Sequence, residues 1–405
     1  MTQLLKMAFR DLGRNRRRSF FSSLALGLGL AVLLLMAGFI NGEMNGAMDS
    51  TIRLQSGHLQ VRAQSYDEVK TSLKWEDLVE NPDQVVAQIT SLAPVQVATP
   101  RLYASGIASV GDQSTGARVI GIDPLSPANA PYQEGLVSGN FLTPDDREGL
   151  LIGQPLAIKL GLNVGDPLNL SVNTSNGDVA QQSFIVRGIY STQTYGFDSA
   201  TVFMPLAKAQ AITQTENHAS TIFVLLKDKA QTDAVVNALQ TSSYKVVPWT
   251  KLNELIIQFE DMANSYMVIF YLIVLGVTAT VIVNTLIMAV FERTREIGIL
   301  SALGMKSRSI LLMFLLESTL LAVGGVVMGI ILGSLMTAYF THFGFYIGKL
   351  GISGMLIGNT VYAKLTLQDT IKLTIIAFII TLLAGLYPAI MAARMEPVQA
   401  LRGGK

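Results

Sequence analysis

The chain has 405 residues, half of them hydrophobic, and a mean hydropathy of +0.42, the balance of a membrane protein. A net charge of +1 gives no global electrostatic support for nucleic-acid binding. The absence of cysteine excludes disulfides, thiol catalysis and thiolate metal sites, and the three histidines, His58, His218 and His342, stand in no metal-ligand spacing.

Over residues 1–18, Leu4, Leu5, Ala8, Phe9 and Leu12 recur at helical spacing among Lys6, Arg10, Arg14, Arg16, Arg17 and Arg18. This predicts a cytoplasmic, interfacial amphipathic helix, acting as a topology signal and as an elbow that braces the first span. Phe20–Ile40 carries no charge and predicts a span over 19–41. The run exceeds the roughly 7–15 residues of a signal-peptide core and leads into Asn41-Gly42-Glu43-Met44, so the span is read as uncleaved. Gly27, Ala31, Ala37 and Gly38 would permit close helix contacts within it.

From 42 to 262 the texture changes to that of a soluble α+β domain. Apolar alternation at His58–Arg62 and β-rich runs at Ala117–Ile122 and Ser183–Ile189 predict strands, with helices over Asn81–Leu92, Gln154–Leu160, Leu206–Thr213 and Asp233–Leu239. Gly161 suits a left-handed helix cap, and Gly165-Asp166 a turn into a strand over Leu168–Val172. Trp75 and the stretch Tyr195–Asp198 are candidate contact surfaces, set against the commoner fate of such aromatics, packing.

A helical lead-in, Ile256–Ala263, enters a second span over 263–291. A polar hairpin comes next over 292–309, then a third span over 310–340, a short external loop over 341–369, a fourth span over 370–393 and a tail over 394–405. Arg293, Arg295, Lys306, Arg308, Arg394, Arg402 and Lys405 place the hairpin and tail in the cytoplasm, so the large domain between spans one and two lies outside. Gly325, Gly329 and Gly333 put a smooth face on the third span, for a helix of the same chain or of a dimer partner. Glu317, an intramembrane carboxylate near the cytoplasmic end, is read as an interfacial hydrogen-bonded group rather than a proton relay. Pro388 should bend the last span near its inner end.

No Walker A pattern, GxSxG elbow or catalytic constellation occurs, and Asp145-Asp146 beside Pro144 reads as a solvated or capping turn. The expectation is a non-enzymatic chain with no catalytic residue, metal or cofactor of its own.

Three stretches carry a resemblance: Ala8–Arg18 (AFRDLGRNRRR), Glu292–Met305 (ERTREIGILSALGM) and Tyr387–Arg402 (YPAIMAARMEPVQALR). With the four-span layout they resemble the FtsX/MacB-type permeases, the mechanotransmitting (type VII) class of ABC-transporter membrane subunits. Ser56–Val61 and Ala117–Pro124 look like the lipoprotein-releasing, LolC/LolE-like branch. The resemblance implies four transmembrane helices with a large α+β extracytoplasmic domain between the first and second, set in a bacterial cytoplasmic membrane among its lipids. It implies a second permease copy or paralogue, a separate ATPase dimer that binds ATP and Mg, and a lipoprotein, adaptor or hydrolase partner outside. In the family the loop after span two is a coupling helix docking on the ATPase, which carries that role to Glu292, Arg293, Arg295, Glu296, Ile297, Gly298, Ile299, Ala302, Leu303 and Gly304. Arg295, Ile299 and Ala302 or Leu303 would form one face, Gly304 the cap, and Arg293 with Glu296 a charged rim. The expected function is to transmit ATPase-driven movement across the membrane, for lipoprotein release or export of a hydrophobic or peptide substrate. The alternative is a transmembrane regulator of a cell-wall hydrolase or sensor, with nothing transported.

Overall fold

The computed structural model describes residues 2–14, 16–67, 70–240, 243–348 and 356–396. The chain divides into two compact units, one of Met1–Glu43, Glu260–Phe345 and Val361–Lys405, the other of Met44–Phe259 with Tyr346–Thr360.

The helices of the first unit are α1 (Thr2–Arg14), α2 (Arg16–Thr51), α3 (Glu254–Glu292), α4 (Thr294–Ala302), α5 (Ser307–Phe343) and α6 (Leu367–Ala393), with the end of α2 and the start of α3 belonging to the second unit. Four of them, α2, α3, α5 and α6, are long and apolar enough to cross a membrane. At 1.5 Å per residue, α2 and α3 run for roughly 54 and 58 Å, well beyond the apolar core of about 30 Å. The glycine stripe of α5 is used inside the chain. A Cβ on Gly325 would lie 2.7 Å from the Leu26 side chain, one on Gly329 2.8 Å from Leu30 and one on Gly333 2.9 Å from Leu34, so α2 sits where side chains are missing from α5. Leu26, Leu30, Leu33 and Leu34 continue that core into Leu275 and Ile282 of α3, Leu321 of α5 and Leu373 of α6. Hydroxyls stitch the helices together: Ser22 and Thr285 share a hydrogen bond at 2.8 Å, and Ser23 and Ser318 donate to the carbonyls of Leu321 and Thr381. Pro388 lies inside α6 and removes a bond from its ladder. The tail residues from Pro397 onward, Arg402 and Lys405 among them, lie outside the described residues, as does Asn15.

The second unit carries a ten-stranded sheet. Its strands are β1 (Leu59–Ala63), β2 (Val95–Val110), β3 (Gln113–Ile122), β4 (Leu136–Gly139), β5 (Gly149–Gly153), β6 (Pro167–Asn173), β7 (Val179–Tyr190), β8 (Thr201–Pro205), β9 (Thr221–Leu226) and β10 (Tyr244–Pro248). Two subdomains share it. The order β10-β1-β9-β2, with antiparallel neighbours and helices at Pro82–Thr90 and Thr232–Leu239, is a βαββαβ ferredoxin-like half, split between β2 and β9 by everything from 111 to 220. The insert completes a ring with the far end of β2, in which β2, β3, β8, β5, β7 and β6 pair in sequence and β6 returns to β2. Strand alternation fills the ring from one parity: Leu102, Ala104, Val119, Leu150, Ile152, Leu168, Leu170, Phe184, Val186, Val202 and Met204 point into one core. The opposite parity, Tyr103, Ile120, Ile122, Leu151 and Phe203, meets Tyr132, Tyr190 and Phe197 in a second core.

Gly161 and Gly165 take left-handed φ values of +66° and +95°. Asp146 organises its turn, and its pairing with Arg187 at 2.8 Å, helped by the Gly149 amide that donates to it at 2.8 Å, holds its carboxyl below the usual carboxylate range. Phe197 and Asp198 are buried, so the stretch Tyr195–Asp198 is largely an interior element and only Tyr195 and Gly196 reach the surface. Burial raises the Asp198 carboxyl to about 6, even though Thr192 and Ser191 donate to it. Trp75 is more than half exposed, its indole N–H bonded to the Gln214 carbonyl and its ring against His218. Between α2 and β1 lies a π-helical turn, Ile52–Ser56. Its Leu54 carbonyl accepts from both the Arg101 guanidinium, at 2.9 Å, and the Tyr132 hydroxyl, at 2.6 Å, while the fully buried Arg101 rests 3.7 Å over the Phe223 ring. The second external loop contributes to this unit: Ile357 packs on Ile256, Met44 and Met48, and the Asn359 amide donates to the Gln193 carbonyl.

Candidate functional site

The hairpin between α3 and α5 is compact because both of its corners are specified. At the first, Arg293 leaves helical geometry (φ −107°, ψ 15°) and Thr294 returns its hydroxyl to the Phe291 carbonyl. At the second, α4 ends in a Schellman motif, with Gly304 at φ +92°, its amide on Ser301 and the Met305 amide on Leu300.

Exposure then separates seven of the ten predicted coupling residues into two sets. Arg295, Ile299, Ala302 and Leu303 point outward, with Leu303 80% and Ile299 45% exposed. Arg293, Ile297 and Gly298 point inward. Ile297 is 1% exposed and packs with Val290 of α3, Ile310 and Phe314 of α5 and Ala389 of α6, so it anchors the hairpin to the spans. The expectation that Arg293 belongs to an exposed charged rim is overturned. Arg293 is only 2% exposed, with its Nη1 2.9 Å from Asp11 of α1 and 3.6 Å from Glu317 of α5. Glu296 is exposed but bonded to Arg14 of α1 at 2.8 Å, and Glu292 to Arg18 of α2 at 2.7 Å.

The N-terminal elbow is therefore part of the site. Ala8 is fully buried and Met7 packs on the cluster around Ile297, which fixes one face of α1 on the bundle, while Leu5 and Phe9 remain exposed on the other. Sequence reading missed Asp11 as a partner of the hairpin. The available signal was a lone carboxylate in a run of bases, together with an intramembrane Glu317 that needed a cation. Among the described residues, no group of three or more His, Cys, Asp and Glu side chains is gathered as a metal ion requires.

The family model for the MacB-like periplasmic core domain matches residues 19–242, more than half of the chain, and that for the FtsX-like permease C-terminal matches 268–397. The chain belongs to this family. Along nearly its whole length it is similar to the lipoprotein-releasing system transmembrane protein LolE of Haemophilus influenzae, with 24% identity over 94% of this chain and 93% of that protein. The match to the corresponding LolC of Neisseria meningitidis serogroup B is 23%, over 96% and 95%. Similarity at 23% identity to the macrolide export ATP-binding/permease protein MacB of Wolinella succinogenes covers 98% of this chain and 60% of that one. As an FtsX/MacB-like ABC-transporter permease, the chain is a multi-pass protein of the cytoplasmic membrane, with its large domain on the extracytoplasmic side. The C-terminal match takes in the hairpin whole, so α4 is part of the permease region common to the family rather than an addition peculiar to this chain.

Proposed function

We propose that this permease transmits ATPase-driven movement to its extracytoplasmic domain, and that the outward face of α4 is where a separate ATPase docks. The observation that carries this reading is Leu303 and Ile299, held out to solvent beside Arg295 by a helix whose other face is locked into the spans. An apolar pair with a cation at its edge, on a capped and anchored helix, is a preorganised protein-docking surface. The ATPase, with its ATP and Mg, is assigned to a partner dimer. A second permease copy or paralogue completes the membrane part. Lipoprotein release is the substrate reading that full-length similarity to LolE and LolC favours.

Arg295→Glu and Leu303→Asp should each abolish copurification of the partner ATPase, leaving the melting temperature of the permease unchanged because both side chains are exposed. Retention of the ATPase by both variants would refute the docking assignment.

A further inference from the structure

We propose that Asp11, Arg293 and Glu317 form a buried ionic hinge, in which Arg293 is the positioning residue that makes α1 and α5 move with the hairpin. Arg293 stands at the corner between α3 and α4, so any displacement of α4 is delivered to its backbone first. Its side chain runs away from the docking face to two carboxylates on two other helices, all three groups shielded by the bundle: Arg293 is 2% exposed, the Glu317 residue 3%, and the Asp11 side chain 20%.

The arrangement is asymmetric. Both contacts are ion pairs, at 2.9 Å to Asp11 and 3.6 Å to Glu317, and Arg293 Nε, Nη1 and Nη2 and Glu317 Oε2 have no hydrogen-bond partner. A guanidinium offers five donors in a rigid fork, so this one holds unused donors beside an unused acceptor. A small shift of α4 toward α5 would close the second contact without breaking the first. Buried ion pairs are poor sources of stability compared with apolar residues of the same volume, and removing one partner is costly. A three-charge cluster kept at the root of a moving element therefore fits positioning better than reinforcement. The exposed pairs Arg14–Glu296 and Arg18–Glu292 run parallel to it, but exposed pairs are individually weak and screened by salt.

The hinge rests on the movement-transmitting reading, and the test separates the two. The chain has no cysteine, so single pairs can be introduced without background. Spin labels at Lys6→Cys and Lys306→Cys report the separation of α1 and the hairpin in the full complex with its ATPase, nucleotide-free and vanadate-trapped. The expected result is one separation in both states for the parent, and a state-dependent separation in Asp11→Asn. Glu317→Gln should lower extracytoplasmic work per ATP hydrolysed by about fivefold or more, the lower edge of ordinary coupling between sites. Charge-preserving Asp11→Glu and Glu317→Asp should restore much of each effect, and Arg14→Gln should leave the label separation as in the parent. ATPase binding should persist in Asp11→Asn and Glu317→Gln, because neither residue faces the docking surface.

If both variants merely melt at lower temperature, with label separation and work per ATP as in the parent, the cluster is structural and the hinge is refuted. Loss of the ATPase from Arg295→Glu alongside that outcome would leave the docking reading standing. Retention of the ATPase by Arg295→Glu would remove the docking reading instead.

Discussion

Replacing Gly329 by alanine tests the packing of the bundle directly, because the same substitution at Gly46 supplies the control. A Cβ on Gly329 would meet Leu30 Cβ at 2.8 Å and the Gly27 carbonyl at 3.0 Å, whereas one on Gly46 meets nothing within 4 Å. Carbon contacts are optimal near 3.5–4.0 Å, so α2 and α5 must part locally by about 0.7–1.2 Å, and a gap of about 0.5–1 Å already forfeits a quarter to a half of each contact along the seam. Overpacking of this kind costs about 1–3 kcal/mol. Alanine also gains about 0.8–1.0 kcal/mol over glycine in a helix, at both positions. The difference between the two variants isolates the steric part, with Gly329→Ala less stable than Gly46→Ala by about 1–3 kcal/mol. Replacing Gly325, Gly329 and Gly333 together should cost less than three times the single change, since a seam once opened accommodates its neighbours. Denaturant titration of the detergent-solubilised chain, monitored by helix content, measures all of these. Equal stabilisation by both single alanines would show that α2 does not lie in the glycine groove.

The extracytoplasmic domain yields three further predictions. Asp198 titrates near 6 when folded against 3.8 when free, so the folded state binds more protons between those values and its stability falls as pH rises from about 4 to about 6, by up to about 3 kcal/mol. Asp198→Asn should remove that component, and urea midpoints of wild type and variant that run parallel across this range would contradict the assignment. Asp146 has the opposite sign: its folded carboxyl is held low, so its contribution is present above the unfolded value and lost as pH falls through the folded one. Asp146→Ala should cost about 1–3 kcal/mol near neutral pH, chiefly through the orphaned Gly149 amide, read by the same titration, with an unchanged midpoint counting against it. At the π-helical turn, Tyr132→Phe and Arg101→Met should each be mild, because the Leu54 carbonyl keeps its other donor. The double variant should cost about 1–3 kcal/mol more than their sum, and an additive cycle would refute shared acceptance.

Much of the fold was legible because it is written in local periodicity. The four apolar runs, the alternation at His58–Arg62 that marks the strand Leu59–Ala63, the helices at Gln154–Leu160 and Leu206–Thr213 and the left-handed Gly161 all depend on residues close together in sequence. The split sheet was not legible. Thr221 pairs with Arg101, and no short-range signal marks two strands separated by an inserted ring as neighbours. Nor was the membership of Ile357 and Asn359 in the external unit, since a single apolar side chain and one backbone amide make the connection.

The hairpin shows why composition was the wrong guide to its charges and the break at its first corner the right one. Arg293 and Arg295 are two residues apart on one polar segment and looked equivalent as candidates for a charged surface. Arg293 is the non-helical corner and Arg295 lies in the first turn of α4, so Arg295 reaches solvent and Arg293 reaches Asp11 and Glu317. Glu317 could be recognised as a carboxylate in need of a cation, but the hairpin before it carries four, Arg293, Arg295, Lys306 and Arg308, and only the return of α1 against α5 decided which one was buried with it. The same geometry gives the two arginines separable consequences. Loss of the Arg295 charge should weaken docking itself. A change around Arg293 should leave the partner docked and instead loosen α1 and α5 from its motion.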